Sequence, residues 1–371
     1  MRLICTPKKV FVAITNNCNL RCKYCYHFTD GAPVTDDLST REWLSFFKEL
    51  NRCCVMRVTL EGGEPFFRND LRELISSIIQ NRMRYSILTN GTLITDEMAR
   101  FIASTGRCDF VQVSLDGSTP AAHDSMRGEG SFTKALEGIK SLKRHNIRIM
   151  VRTTIHKQNV NDLGQMARLL LEEMGLPNFS TNSASYRGLC RSNAGQVQLD
   201  AAQRSAAMKE LLRLDKIYPG RIKAAAGPLS QAKGWYAYEK ARINGRGRTR
   251  RGGYLGDCGQ AIECLSVRAD GVIVPCILLS HIELGRINRD SLEEIWQGHP
   301  EMRKLRERGR IPLSNFEYCR GCVYINYCSA GCPSMSYDLT GDAYRPSSNA
   351  CLKHFLEEGG KLPQEDLFTT P

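Results

Sequence analysis

Residues 10–28 read VFVAITNNCNLRCKYCYHF, and this stretch decides how the rest of the chain is interpreted. A short apolar run is followed at once by three cysteines, Cys18, Cys22 and Cys25. A closed structural zinc site takes four protein ligands, whereas this loop supplies three. Closely spaced cysteine thiolates are typical ligands of iron–sulfur clusters, and three of them on a four-iron cluster leave one iron open to a small molecule. The loop therefore indicates a site for chemistry.

The composition is that of a soluble protein with two or three domains. The chain has 371 residues, of which 42% are apolar and 24% are charged. No apolar run approaches the roughly 18 residues of a membrane span, and the N-terminal MRLICTPKKVF contains no secretory h-region. These features predict a protein of the reducing cytoplasm that does not associate with membranes.

The chain contains 16 cysteines, and in a reducing compartment they are not expected to form disulfides. A second cysteine group lies far downstream and consists of Cys258, Cys264, Cys276, Cys319, Cys322, Cys328, Cys332 and Cys351. Five further cysteines are scattered, namely Cys5, Cys53, Cys54, Cys108 and Cys190. Because free cysteine behaves as a small hydrophobe, these five are interpreted as packing residues.

Residues 8–182 alternate short β-like runs with amphipathic helical stretches. The predicted strands are 10–15, 55–60, 85–89, 110–115, 147–155 and a sixth near 178–182. A helix is predicted over 200–217 and another over 291–308. Repeated βα units predict an α/β fold with a parallel sheet and right-handed crossovers.

Polar residues follow the ends of four predicted strands. They are Cys18, the segment 61–64, Asn90 with Gly91, and Asp116 with Gly117. In a βα barrel the loops after the strands converge on one face and form the active site. Loops also use Gly and Asn for turn geometry alone, but four such signals beside a cysteine triad favour a site.

The segment CNLRCKYCY resembles the signature of the radical S-adenosylmethionine (radical SAM) enzymes, including Tyr24 before the third cysteine. The resemblance implies a partial (β/α)6 barrel in which Cys18, Cys22 and Cys25 hold a [4Fe–4S] cluster. It also implies that the open iron binds SAM. Reductive cleavage of SAM would then give a 5′-deoxyadenosyl radical that abstracts a hydrogen from the substrate.

Further motifs of the same family imply contacts with SAM. LEGGEP (60–65) and VSLDG (113–117) match the family's segments after the second and fourth strands. The implied SAM contacts are Tyr24, Gly62, Gly63, Glu64, Asn90, Ser114 and Arg152. Arginine suits bidentate binding of the SAM carboxylate, although Arg152 in a strand-end salt bridge remains an alternative. No catalytic residue is assigned.

The downstream cysteines are similar to those of the SPASM domain, which binds two auxiliary [4Fe–4S] clusters. The resemblance implies interleaved ligand sets, one of Cys258, Cys264, Cys276 and Cys332, the other of Cys319, Cys322, Cys328 and Cys351. Cys264 is the variable ligand, because some relatives lack a cysteine there and leave an iron open. Two zinc ions are the alternative occupants of eight cysteines.

Four regions are predicted along the chain. They are a radical SAM core at 1–217, a basic linker at 218–255, a SPASM domain at 256–355 and a tail at 356–371, whose short polar part after Leu362 is predicted to fray. Much of the net charge of +12 lies in 241–253, which is interpreted as a solvated loop or as a docking strip for an acidic peptide. No aromatic residues interleave with these charges, so nucleic-acid binding is disfavoured.

Short segments along the whole chain, among them LEGGEPFFR, STNSASYRGLC and LSHIELGRI, resemble the radical SAM/SPASM proteins of the SynChlorMet cassette, which modify peptides. This implies a ribosomally made peptide as substrate. Only 17 residues precede Cys18, so no peptide-recognition domain is expected at the N-terminus, and a separate recognition protein or the basic strip at 241–253 would have to bind a leader-bearing peptide. A flavodoxin- or ferredoxin-type reductant is also expected. A sulfatase-maturing enzyme, a heme-pathway enzyme and an iron–sulfur electron-transfer protein remain alternatives; sulfatase-maturing enzymes carry an aspartate where this chain has Ile277. Substrate identity, the bond formed and the oligomeric state are not determined.

Overall fold

A computed structural model describes residues 4–29, 36–249, 252–256 and 258–368. Ten strands among them form one sheet. The strands are β1 (Lys9–Thr15), β2 (Arg57–Gly62), β3 (Arg84–Thr89), β4 (Cys108–Ser114), β5 (Ile149–Ile155), β6 (Phe179–Ser183), β7 (Ile222–Ala224), β8 (Cys264–Val267), β9 (Val272–Val274) and β10 (Gly285–Arg286). Their order across the sheet is β10-β9-β8-β1-β2-β3-β4-β5-β6-β7.

Helices connect the strands and cover one face of the sheet. They are α1 (Thr40–Arg52), α2 (Leu71–Gln80), α3 (Asp96–Ser104), α4 (Pro120–Arg127), α5 (Ser131–Arg144), α6 (Leu163–Arg168), α7 (Leu189–Ser192), α8 (Ala194–Val197), α9 (Ala201–Ile217), α10 (Pro228–Ile243), α11 (Gly259–Glu263), α12 (Leu292–Gly298), α13 (Pro300–Glu307), α14 (Pro333–Thr340) and α15 (Leu352–Glu357). A π-helical turn, Leu169–Glu173, extends α6. No described helix is both long and apolar enough to cross a membrane.

Strand side chains alternate between two environments, and this alternation creates the site. On β1, Val10, Val12 and Ile14 are fully buried in the apolar core under the helices, whereas Lys9 and Phe11 point into a cavity. The same alternation occurs on every barrel strand because successive side chains project to opposite faces. The core side is therefore apolar and the inner side carries the polar residues.

The parallel sheet confirms the predicted α/β fold. Strands β1 to β7 pair with their neighbours in parallel, each after a helical crossover. β8 then pairs in parallel with β1, with Lys9 opposite Cys264. The cysteine-rich region therefore begins as an extension of the barrel sheet, which brings its first cysteines close to the barrel.

The predicted helix over 291–308 is wrong in one respect, because two helices occupy this segment. α12 begins after Ser291, whose side chain accepts a hydrogen bond from the Glu294 backbone N–H, and ends before His299. α13 begins at Pro300. A proline lacks the backbone N–H and restricts the residue before it to extended conformations, so the helix breaks at this point.

The segment 218–255 was predicted as a linker, but its described residues pack against the rest of the chain. It contains β7 and α10, and Thr249 N–H donates to the carbonyl of Asn326 at 3.1 Å. Gly253 N–H donates to the carbonyl of Cys328 at 3.1 Å. Part of the basic run 241–253, residues 250 and 251, lies outside the described residues, so its role as a docking strip stays a prediction.

The tail was predicted to fray after Leu362, and two of the described residues beyond it contact the rest of the protein. Phe368 stacks on Tyr236 with ring centroids 3.7 Å apart. Lys361 N–H donates to the Ser205 hydroxyl at 2.9 Å, and Leu362 and Leu367 pack on the core. Apolar side chains in an otherwise polar segment account for the docking; residues 369–371 lie outside the description.

Candidate active site

A cavity of about 530 Å³ occupies the inside of the curved sheet. Its wall combines the cysteine loop, the inner side chains of the strands and part of the cysteine-rich region. Cys18, Cys22 and Cys25 all line it, and Cys276 and Ile277 line it from the other domain. The first cysteine group and one downstream cysteine therefore face a common space.

Donors and a cation surround the sulfur atoms of the cysteine loop. The Leu20 backbone N–H and the Asn90 side-chain amide approach Cys18 Sγ at 3.4 and 3.8 Å, and Arg127 Nη1 lies 4.0 Å from Cys22 Sγ. Burial raises the pKa of Cys22 to about 12, and the negative charges of Cys25 and Cys18 add to this although Arg127 opposes it. The three thiols are thus close together in a site that contains compensating donors.

The cysteine loop fits an iron–sulfur cluster better than a single metal ion. Among the described residues, no three His, Cys, Asp or Glu side chains converge closely enough to hold one ion. A multi-iron cluster keeps its thiolates further apart than one ion does, and hydrogen bonds to the sulfurs are a normal means of tuning such a cluster. The Cys18–Cys25 loop could therefore hold a cluster, with Asn90 and Arg127 beside its sulfurs.

A second segment fixes the end of the cysteine loop. The Leu189 N–H donates to the carbonyls of both Cys25 and Phe28, at 2.9 and 2.8 Å. The preceding Gly188 has a φ of +58°, and a Cβ atom there would lie 2.4 Å from the Phe28 carbonyl oxygen. Only glycine allows this approach, so the loop is held between the strand ends and residues 188–189.

The glycines of LEGGEP are needed for close packing of two backbones. A Cβ atom on Gly62 would lie 2.4 Å from the Thr15 carbonyl oxygen, and one on Gly63 would lie 2.1 Å from that of Asn17. Gly63 N–H donates to the Thr15 carbonyl at 2.8 Å. The turn after β2 is therefore locked against the start of the cysteine loop, and both glycines still line the cavity.

Glu64 belongs to the scaffold of the turn rather than to the cavity wall. Its carboxylate accepts hydrogen bonds from the Thr89 hydroxyl and the Asn90 backbone N–H, both at 2.7 Å, and from the Phe66 backbone N–H at 3.1 Å. It is fully buried and does not line the cavity. In this structure the Glu64 side chain positions Asn90, and the contact of Glu64 with SAM stays a prediction.

A buried ion pair between Asp116 and Arg127 lies next to the cysteine loop. Asp116 accepts a hydrogen bond from Arg127 Nε at 2.6 Å, from the Thr154 backbone N–H at 2.8 Å and from the Tyr24 hydroxyl. Burial would raise the pKa of Asp116, but the positive charge of Arg127, helped by His156 and His123, holds it below its usual range. Tyr24 is thereby fixed within the loop, and Arg127 is aimed at Cys22.

The structure brings together most of the residues that the sequence assigned to SAM. Those that line the cavity are Tyr24, Gly62, Gly63, Asn90, Ser114 and Arg152. Ser114 and Arg152 are paired neighbours on β4 and β5. The Arg152 side chain has no hydrogen bond or ion pair with a described residue, which argues against the alternative of a strand-end salt bridge and leaves its guanidinium available to a carboxylate.

Two residues of the site were missed by sequence reasoning. Arg127 belongs to none of the motifs found in the sequence. Nothing in the local sequence indicates that this residue at the end of α4 lies near Cys22. Glu61 was noted only as part of the polar turn, although its position one residue before the double glycine places it on the inner side of β2. The alternation of β2 was the signal that could have identified it.

The downstream cysteines fall into two spatial groups. Burial raises the pKa of Cys276 to about 12, and the nearby charges of Cys258 and Cys332 raise it further. Burial also raises the pKa of Cys264, again with a contribution from Cys258. Cys258 therefore lies near both Cys264 and Cys276, and Cys332 lies near Cys276; the sequence resemblance placed these four cysteines in one ligand set.

The second group consists of the other four cysteines. Burial raises the pKa of Cys328 to about 12, and the charges of Cys351, Cys319 and Cys322 add to it. The four line a separate small pocket of about 30 Å³ together with apolar and aromatic side chains. Cys319, Cys322, Cys328 and Cys351 are therefore neighbours, and the assignment of each ligand set to a cluster stays a prediction.

A buried arginine connects the loops that carry the first group. Arg308 is fully buried, and its guanidinium donates to the carbonyls of Gly256, Gly331 and Ala343 at 2.5, 3.3 and 2.8 Å. Gly256 and Gly331 lie within two residues of Cys258 and Cys332. Five N–H donors in a rigid fork suit this task, so Arg308 holds two distant cysteine segments in register.

Two regions of the chain match known protein families. Residues 12–170 match the Radical SAM superfamily, and residues 258–323 match SPASM, an iron–sulfur cluster-binding domain. The first region contains the cysteine loop, and the second contains Cys258, Cys264, Cys276, Cys319 and Cys322. The matches coincide with the two cysteine-bearing parts of the structure.

Several characterised proteins are similar over most of the chain. A pre-heme d1 synthase of Dinoroseobacter shibae is 27% identical and covers 99% of this chain and 91% of its own length. A PqqA peptide cyclase of Ruegeria pomeroyi is 25% identical, with coverages of 91% and 85%. The crystal structure of Streptococcus suis SuiB bound to its precursor peptide SuiA has the same fold, with a TM-score of 0.68, 15% identity and coverages of 94% and 77%.

Proposed function

Since the chain belongs to the radical SAM superfamily and carries a SPASM iron–sulfur domain, we propose that it modifies a ribosomally made peptide. A bound cluster with one open iron would supply the reductive cleavage of SAM. The resulting radical would abstract one hydrogen atom from the substrate. Cys18, Cys22 and Cys25 would hold that cluster, and Arg152 would bind the SAM carboxylate. The two downstream cysteine groups would hold auxiliary clusters that pass electrons.

The charge of the cavity wall favours a peptide over a porphyrin as the substrate. The described cationic side chains that line it are Lys9, Arg127 and Arg152, and Arg127 is already paired with Asp116. If Arg152 binds SAM, Lys9 alone remains for an anionic substrate. A porphyrin with several carboxylates would require more cations, because buried charges need partners. The wall therefore favours a substrate with few negative charges.

A porphyrin substrate is the second candidate function. The 27% identity to a pre-heme d1 synthase over 99% of this chain favours it. The peptide proposal is supported by the similarity to a PqqA peptide cyclase and by the shared fold with SuiB, whose structure contains its precursor peptide. Within the peptide proposal, a separate recognition protein, a flavodoxin- or ferredoxin-type reductant and a cytoplasmic location complete the system.

Anaerobic co-expression with each small peptide encoded near the gene tests this function. Mass spectrometry should show a mass change in one peptide, and the Cys22→Ala variant should leave that peptide unmodified. The variant should lose about four of roughly twelve irons per chain, because one cubane of three is removed. Unchanged masses for all peptides, together with conversion of a carboxylated porphyrin by the same enzyme, would favour the second candidate.

A further inference from the structure

Four oxygen atoms in the cavity wall are buried and have no hydrogen-bond partner among the described residues. They belong to Thr59, Glu61, Asn182 and Gln260. Buried polar atoms are nearly always paired in native proteins, so each exception calls for an explanation. The other buried unpartnered atoms of the described residues lie outside this cavity. The concentration of acceptors here indicates that a ligand supplies the missing donors.

Glu61 is the most costly of the four. Its side chain is 7% exposed, and no described residue forms a hydrogen bond or an ion pair with its carboxylate. Burial raises its pKa to about 7, even though the charges of Lys9 and Arg152 oppose this. Burying a carboxylate without a partner is strongly unfavourable.

Two cations, Lys9 and Arg152, lie near Glu61, and their charges oppose the rise of its pKa. Lys9 lies opposite Cys264 in the β1–β8 pairing, and burial lowers the Lys9 pKa. Arg152 is the residue proposed above to bind the SAM carboxylate. Neither cation is within 4.0 Å of the Glu61 carboxylate, since no such ion pair exists in the described structure. Glu61 therefore lacks a dedicated counter-ion.

We propose that Glu61 binds a protonated amine or guanidinium side chain of the substrate peptide and thereby positions that residue in the cavity. The proposal rests on the proposed peptide function and names the kind of residue recognised. Thr59 lies two residues earlier on the same side of β2, and Gln260 enters from α11 in the SPASM domain. These oxygens and that of Asn182 accept further N–H groups of the same segment.

Blocked single amino acids are suitable probes, because they do not require the natural peptide to be known. Nα-acetyl-lysine methylamide carries the cation, and Nα-acetyl-norleucine methylamide has the same chain without it. Equilibrium dialysis against the SAM-saturated, anaerobically reconstituted enzyme measures both affinities. The lysine probe should bind tighter, and Glu61→Gln should weaken it by about tenfold to hundredfold, as expected for a hydrogen bond to a charged group. The norleucine probe should be affected less than threefold.

Glu97→Gln is the matched control, because Glu97 is an exposed glutamate paired with Arg72 on the outer surface. This variant should bind both probes as the wild type does. Equal affinity of the lysine probe for wild type and Glu61→Gln would overturn the proposal. A loss of SAM affinity in Glu61→Gln without a change in probe binding would also overturn it, since Glu61 would then serve SAM.

The peptide itself provides the second measurement. Where co-expression identifies a modified peptide, replacement of its lysine or arginine nearest the modification by norleucine should raise the KM at least tenfold with wild type. The same replacement should have less than a threefold effect with Glu61→Gln. If no peptide is modified, the peptide function fails while the dialysis result still decides whether Glu61 binds cations. A peptide that is modified equally well by Glu61→Gln and wild type overturns the role of Glu61 alone.

Discussion

Buried polar groups in and around the cavity fall into two sets with opposite hydrogen bonding. The set called the saturated side consists of Tyr24, Glu64, Asp116 and Arg127, and its two carboxylates lie outside the cavity wall and accept hydrogen bonds from identified donors. On the open side, formed by Thr59, Glu61, Asn182 and Gln260, each residue has an oxygen without one. Burial is similar, since Glu64 is 0% and Glu61 7% exposed. The difference shows that burial alone does not tell a scaffold residue from a ligand-binding one.

The two glutamates of LEGGEP make the contrast sharpest. Burial raises the pKa of both to about 7. Glu64 recovers part of this cost through three hydrogen bonds that fix the strand ends. Glu61 forms no hydrogen bond with a described residue, and the charges of Lys9 and Arg152 only partly oppose the effect of burial. Substitutions on the saturated side should therefore destabilise the protein, and those on the open side should affect ligands while leaving stability intact or improved.

The largest loss of stability is expected for Asp116→Asn. Asparagine keeps the shape but leaves the Arg127 charge buried without its partner, which costs about 3–5 kcal/mol. The melting temperature of the reconstituted holoenzyme should fall by many degrees. The double variant Asp116→Asn/Arg127→Met is the control, because it removes the orphaned charge and should recover much of the loss. An unchanged melting temperature for Asp116→Asn would show that the ion pair is not needed.

A smaller loss is expected for Glu64→Gln. The glutamine amide would present an N–H group to a backbone or hydroxyl donor, and losing such a buried hydrogen bond costs about 1–3 kcal/mol. Because Glu64 also orients Asn90 beside Cys18, the absorption spectrum of the reduced cluster should shift slightly. If Glu64→Gln is as stable as wild type, the hydrogen bonds of Glu64 do not contribute measurably to stability. The expected difference in stability between the saturated and the open side would then be contradicted.

Glu61→Gln should stabilise the substrate-free enzyme, and the gain should depend on pH. The folded-state pKa of about 7 lies above the usual 4.5, so the ionised carboxylate opposes folding as pH rises through this interval. The variant should therefore gain on the order of 1 kcal/mol over wild type at pH 8 and little at pH 4.5. Melting temperatures of both proteins at the two pH values measure this. A gain that is independent of pH would contradict the open, uncompensated state of Glu61.

The smallest effect is expected for Thr59→Val. The two side chains have nearly the same shape, and the Thr59 hydroxyl oxygen has no partner to lose. Stability should remain within about 0.5 kcal/mol of wild type or rise slightly. Thermal unfolding of the holoenzyme checks this, with Ser86→Ala on neighbouring β3 as a second buried hydroxyl variant. A clear destabilisation by Thr59→Val would show that the Thr59 hydroxyl forms a hydrogen bond, for example to ordered water. Thr59 would then not belong to the set of unpartnered residues.

Much of the fold followed from the sequence because it depends on local pattern. The six barrel strands were predicted within two residues at most of their ends, and the parallel sheet is confirmed. Ser39 and Glu42 form a capping box at the start of α1, which is a local sequence pattern. These features depend on alternation, helical period and end-capping, which neighbouring residues determine.

The predictions that failed involve contacts between distant segments. The hydrogen bonds of Thr249 and Gly253 to Asn326 and Cys328, and the stacking of Phe368 on Tyr236, have no local signal. The reach of Arg127 to Cys22, 105 residues away in sequence, has none either. Such contacts depend on where the whole chain folds, so composition and period could not indicate them.

The sequence by itself determined the family, the cysteine groups and the side of the sheet on which the chemistry lies, because motif spacing and strand alternation are local properties. Only the tertiary structure decided which polar residues of that side are already partnered. Glu61 and Glu64 are three positions apart in one motif and are equally buried, yet one binds the turn around it and the other faces the cavity. Hydrogen-bond satisfaction depends on atoms from β3, β5 and the SPASM domain, which meet only in the folded protein.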